Sequence, residues 1–123
     1  MKGVPSPRTR LTSLAERYRV VLAGLPVELP PQPAPGWSHA YHLFPVRVDA
    51  RAQVFEKMRA ADIRVQVHYI PIYRHPYYRA AGFEPTAFPA TEDAYAHLLS
   101  LPIFPSLTDT EQDLVVSALE GAL

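Results

Sequence analysis

The stretch VQVHYIPIYRHPYYR, residues 65–79, carries four tyrosines, two histidines and two arginines in fifteen positions. Imidazoles exchange protons near neutral pH, phenols donate and accept hydrogen bonds, and aromatic faces stack on planar or apolar ligand surfaces. His68, Tyr69, Tyr73, His75 and Tyr77 are therefore the candidate ligand-binding set. The competing reading is that these rings pack against a neighbouring domain, since aromatic residues are also favoured at interfaces.

Other chemistries find less support. His39 and His42 stand three apart on an expected strand and face opposite sides, so they do not chelate without a bulge, and no carboxylate completes a ligand set. Ser13, Thr91 and Thr108 read as helix caps rather than nucleophiles, and no nucleophile-elbow pattern accompanies them. The five glycines are scattered singly, so no phosphate-cradling loop is expected. Glu92 and Asp93 open a helix, where the macrodipole accounts for them. No catalytic residue and no metal ligand is assigned.

The elements that position the ring cluster follow from periodicity. Leu11, Leu14, Tyr18, Val21, Leu22 and Leu25 recur at helical intervals behind a capping-box spacing at Ser13 and Glu16, and Gly24 and Pro26 end the pattern. PPQPAPG at 30–36 excludes helix and central strand. Residues 38–48 alternate with His42, Phe44, Val46 and Val48 on one face, and Pro45 assigns them to an edge or a bulge. Asp49 is the expected cap of a helix over 50–61 carrying Val54, Phe55 and Met58. Residues 63–70 alternate again, and strand, helix, strand in that order predicts a crossover unit, right-handed if the strands are parallel.

His75-Pro76 opens a short helix closed by Gly82, and Thr91 starts one carrying Tyr95, Leu98 and Leu99. LPIFP at 101–105 is extended, and Thr108 with Glu111 boxes a final helix. The class is α/β: a two-layer domain, a small sheet with helices packed on it.

The chain has 123 residues, 48% hydrophobic, with twelve basic and twelve acidic side chains and no cysteine. That fits one globular domain over 1–123 without disulfide or thiolate chemistry, and a cytoplasmic protein. A formal charge of zero gives no general attraction for nucleic acid or anionic membrane, and the longest apolar run, Val20 to Leu25, is too short to span a bilayer. All twelve lysines and arginines lie at or before Arg79, while seven carboxylates follow it. Either an acidic second half folds against a basic first half, or a basic face awaits a phosphorylated ligand.

Three blocks in order, SHAYHLFPVRV, VQVHYIPIYRHPYYR and FPATEDAYAHLLSLPIFPSLTDTEQD, resemble the C-terminal small domain of the DegT/DnrJ-type sugar aminotransferases. Within that family the nearest likeness is to enzymes that aminate the 4-keto group of a UDP-linked 4-keto-6-deoxy amino sugar on the pathway to pseudaminic acid. The resemblance implies the type I aminotransferase fold, pyridoxal phosphate, glutamate as amino donor, and dimers with active sites between subunits. It implies that a histidine-tyrosine-proline turn lies near the sugar nucleotide: here His68, Tyr69 and Pro71, with Tyr73 where the family often has histidine.

It also implies that the cofactor-bonding lysine, the acidic partner of the pyridine nitrogen and the phosphate cup belong to a large domain outside these residues. Lys2 and Lys57 are the lysines present, one in an expected tail and one on a solvated helix face. The chain alone is thus expected to bind no cofactor and transfer no amino group. Its expected partner is the missing large domain or a second copy of itself, met through an exposed face made by Tyr69, Tyr73, Tyr77 and Tyr78. The alternative is a non-catalytic sugar-nucleotide-binding or assembly module built on the same domain.

Overall fold

The computed structural model describes residues 6–123. Helix α1, Pro7–Val21, starts about two turns earlier than expected: Ser6 is its cap, accepting from the Thr9 amide at 3.2 Å, with proline pre-set for the first turn. Ser13 is therefore mid-helix and exposed. Leu14, Ala15 and Tyr18 make the buried stripe. Gly24, at φ 89°, turns the chain beyond the helix.

Strand β1 is Phe44–Arg47, shorter than the expected 38–48. Tyr41 sits at φ 51°, which breaks the extended run and shifts its alternation, so that Tyr41 is buried and His42 exposed. Helix α2, Arg51–Ala60, buries Val54 and Met58. Asp49 does not cap it; the cap position is Ala50, left-handed at φ 50° and without a side-chain bond. A 3-10 turn at Ile72–Arg74 leads into α3, Pro76–Ala80, closed by Gly82 at φ 95°.

Helix α4, Pro89–His97, begins before Thr91 because Pro89 takes the first helical position. It gives way without a loop to β2, Leu98–Leu101, so Leu98 and Leu99 are strand residues rather than helical ones. A short apolar run suits either period, and pairing with β1 decides. Helix α5, Asp109–Ala122, carries the expected capping box: Thr108 accepts from the Glu111 amide at 3.1 Å, and Glu111 accepts from the Thr108 amide at 3.0 Å.

The sheet is antiparallel, Phe44 opposite Leu101 and Arg47 opposite Leu98. Each edge is extended by a single bridge, Glu28 to Arg47 and Gln66 to Ser100, both antiparallel. The segment around Gln66 is therefore parallel to β1 but separated from it by β2, and residues 63–70 are not a regular strand. Its neighbouring bonds are blocked: Pro102, next in register, has no amide proton, while the Leu98 amide donates to the Ala94 carbonyl and the Leu98 carbonyl accepts from Arg51. Pro45 is tolerated because Arg47 bonds Glu28 and Ser100 bonds Gln66, so the missing Pro45 amide falls on the side away from β2.

One core holds α1, the sheet, α2 and α5 together, with Tyr18, Phe44, Met58, Leu99 and Leu119 fully buried. Burying side chains of this size contributes about 1.5–3 kcal/mol each. Arginines of the first half meet carboxylates of the second: Arg17 with Asp113 at 2.8 Å, Arg47 with Asp93 at 2.6 Å, and Arg74 with Glu92. The uneven charge along the sequence thus serves in part as a folding complementarity. Among the described residues no helix is long and apolar enough to cross a membrane.

Candidate functional site

Residues 67–72 form a loop tied at both ends to the segment that runs from α4 into β2. At the start, Gln66 and Ser100 exchange backbone hydrogen bonds of 3.2 and 2.8 Å. At the end, the Tyr73 hydroxyl donates to Glu92 Oε2 at 2.6 Å, and Arg74 donates through Nε at 3.0 Å and through a terminal nitrogen to the two Glu92 oxygens. The Tyr73 ring stacks on Phe88 at 4.4 Å and 14°. Arg74 also lies over the Tyr95 ring, as does Arg51 at the start of α2, each at 5.4 Å. The loop is thereby fixed to α4, and α4 to α2.

Electrostatics follow from that packing. The Arg74 guanidinium first, then the Tyr73 hydroxyl, hold the Glu92 carboxyl below the ordinary carboxylate value. Burial first, then the bond to Glu92, pushes the Tyr73 phenol up to about 12. Tyr73 is thus a neutral donor across the physiological range. Arg74 is neutralised by Glu92 and is not a free cation for a phosphate.

The five candidate residues separate into two groups. Tyr73 is turned inward, 6% exposed, which corrects its expected place on an exposed ring face. Tyr69 and Tyr77 stand out at 66% and 79% exposure, and His75 is exposed at the start of α3, with no side-chain cap bond. Tyr78 is half-buried, edge-on to Tyr77 at 5.2 Å and to Phe83 at 6.1 Å. His68 is half-buried with its ring 4.6 Å from that of Tyr69; its Nδ1 is buried without a protein partner.

His68 and Tyr69 are brought together, with Ile70 and Ile72 exposed beside them. Glu92, Arg74 and Phe88 are the members that sequence reasoning missed. Glu92 reads locally as a first-turn helix acid, and only its side-chain bonds reveal the clamp. Among the described residues no group of three His, Cys, Asp or Glu side chains is placed to hold a metal.

Lys57, the one lysine among the described residues, is exposed on α2. It lines a shallow cavity of about 340 Å³ with Asp49, Gln53 and the C-terminal Leu123, apart from every turn residue. Neither a buried lysine nor a phosphate cup is assembled in residues 6–123, so the side chains present do not fit pyridoxal phosphate.

The profile of the DegT/DnrJ/EryC1/StrS aminotransferase family matches residues 1–120. Spore coat polysaccharide biosynthesis protein SpsC of Bacillus subtilis is 29% identical over 97% of this chain and 33% of its own length. S. venezuelae DesV, solved in complex with a ketimine intermediate, is 32% identical with a TM-score of 0.86, matching 94% of this chain and 31% of its own. A Bacillus subtilis protein, NtdA with bound cofactor PMP, is 30% identical with a TM-score of 0.76 over 94% of this chain and 28% of its own. The two-stranded sheet flanked by helices matches the type I aminotransferase fold architecture of these solved structures. The chain spans about a third of the length of the curated relatives it matches.

Proposed function

The chain belongs to the DegT/DnrJ/EryC1/StrS aminotransferase family, and from that premise we propose that it is the C-terminal small domain of a nucleotide-sugar aminotransferase, its aromatic turn facing the sugar nucleotide. The observation that carries the reading is the loop at 67–72. A fold that buries Tyr18, Phe44 and Tyr73 nevertheless keeps Tyr69 at 66% exposure beside a half-buried histidine whose Nδ1 has no partner among the described residues. Tyr69 offers a ring to stack and a hydroxyl to donate, and His68 a nitrogen to bond a sugar or phosphate oxygen. His75 and Tyr77 extend the same surface, while Tyr73 holds the turn from within. The finer substrate in this reading is a UDP-linked 4-keto-6-deoxy amino sugar, aminated at the expense of glutamate in surface polysaccharide biosynthesis. A cytoplasmic location belongs to the same reading, in keeping with a chain that has no cysteine.

Pyridoxal phosphate, in such an enzyme, supplies the electron sink for amino exchange. The lysine and phosphate contacts that hold it come, in this reading, from a large domain, in the same polypeptide or another. Residues 1–123 then contribute binding and orientation, and the chain alone transfers no amino group. The exposure of Lys57, away from the turn, also favours a second reading, a non-catalytic sugar-nucleotide-binding or assembly module.

Joining the chain to a lysine-bearing large domain of the family separates the two. Gain of transaminase activity supports the first, whereas ligand binding without any gain supports the second. In the active assembly, His68→Ala or Tyr69→Ala should raise KM for the nucleotide sugar roughly ten- to a hundredfold and leave that for glutamate unchanged. Equal losses for both substrates would remove the turn from the sugar site. With the chain alone, borohydride after incubation with pyridoxal phosphate should leave only trace label spread over Lys2, Lys57 and the N-terminus; stoichiometric labelling of one lysine with amino transfer would overturn the claim.

A further inference from the structure

The geometry points to Glu92 as the positioning residue of the aromatic turn: from the first turn of α4 it clamps Tyr73 and Arg74 and so sets the pose of His68 and Tyr69. This deepens the functional reading above and rests on it for the substrate, but the clamp itself stands on the chain alone. Three features carry it. Both Glu92 oxygens accept from the turn, Oε2 from Tyr73 and from Arg74 Nε and Oε1 from the Arg74 terminal nitrogen. The acceptor is rigid, because α4 continues directly into β2 at the centre of the sheet, and Ser100 on β2 holds the other end of the loop through Gln66. The clamp also draws Tyr73 inward onto Phe88, leaving Tyr69, Ile70 and Ile72 exposed on the intervening span.

A six-residue loop anchored at both ends on one continuous segment has few ways to move. Glu92 supplies one anchor by side chain, and Ser100 supplies the other by backbone. Replacing Glu92 therefore frees one end and leaves the other in register, an asymmetry that general destabilisation does not produce. Gln in place of Glu keeps one oxygen for the Tyr73 hydroxyl and Arg74 Nε but sets an amide nitrogen against the Arg74 terminal nitrogen and removes the neutralising charge, so it should restore only part of what Ala loses.

The test is amide hydrogen exchange on the 123-residue chain and its E92A, E92Q and Y73F variants. The reporting amides are those of Arg74 and His75, which bond Pro71 and Ile72, and of Tyr78 and Arg79, which both bond the His75 carbonyl. In E92A their exchange should quicken about tenfold or more, while the Gln66 and Ser100 amides and those of α5 keep their wild-type rates. E92Q and Y73F, which each remove part of the clamp, should both fall between E92A and wild type. Unchanged rates at Arg74 and His75, or an equal rise throughout α5, would overturn the inference.

In the active assembly described above, E92A should also raise KM for the UDP-linked ketosugar and leave that for glutamate unmoved. Quickened amides with both KM values unchanged would keep the clamp and refute only the functional reading of the turn.

Discussion

The phenol of Tyr73 is raised, by burial first and then by its bond to Glu92, and the carboxyl of Glu92 is lowered, by Arg74 first and then by Tyr73; these opposite shifts fix how stability follows pH. Glu92 is depressed, as is Glu111 by its bonds to the Thr108 backbone and hydroxyl. Between their folded values and the ordinary 4.5 the unfolded chain binds more protons, so stability should fall as pH drops through that window. Tyr73 is raised from 10 to about 12, and burial raises Tyr18 as well. From pH 10 upward the unfolded chain releases protons that the folded one keeps, so stability should fall again towards about 12. Denaturant melts across both ranges, with phenolate absorbance following the tyrosines, check this. E92Q should flatten the acid limb in part, and Y73F should soften the alkaline one while leaving the Tyr18 contribution. The sequence marked Tyr73 as chemically important but not which way it faced. Nothing local in YRHPYYR separates an inward ring from an outward one, because the partner that turns it, Glu92, lies on another element.

At the level of elements, caps make the sharpest tests. Thr108→Ala should destabilise the chain by about 1 kcal/mol, because it opens a complete capping box. Asp49→Ala should change stability by less than about 0.5 kcal/mol, since Asp49 caps nothing. Ala50→Gly should stabilise by about 1 kcal/mol, because an alanine held at φ 50° is relieved by losing its Cβ. Thermal unfolding of the three variants measures all of this, and a lower midpoint for Ala50→Gly would contradict the cap geometry. The helices were legible because their stripes are periodic and their punctuation, Pro76, Gly82 and the Thr108 box, acts locally. The strands were less so. Residues 63–70 alternate like a strand but meet Pro102 and an already bonded Leu98, while LLSL alternates poorly and yet becomes the central strand. Pairing is decided by the neighbour's free amides, which no single segment displays. Within the candidate site, His68 and Tyr69 were found by composition and adjacency, whereas the Glu92 clamp required the fold.

Across the whole molecule, exposed Tyr69, Ile70, Ile72, Tyr77 and Phe83 fall within one short stretch of chain, opposed by no other part of residues 6–123 that buries them. At high concentration the chain should self-associate through this face, and Ile72→Ser with Tyr77→Ser should shift sedimentation towards monomer without lowering the melting temperature. Monomeric behaviour of the unaltered chain would contradict it. The centre of the sheet has a different consequence, one for biosynthesis. β1, the Gln66 bridge and Val48 all take their partners from residues 97–101, and α1 is fastened by Tyr18 to Pro102 and by Arg17 to Asp113. A ribosome that has released α1, β1 and α2 has released pieces with no middle to join, and the non-local closure that follows is slow by nature. A version ending at residue 97 should show no cooperative melt. Until residues 97–123 have been synthesised, the nascent chain depends on other factors to keep Tyr18, Phe44 and Met58 from aggregating.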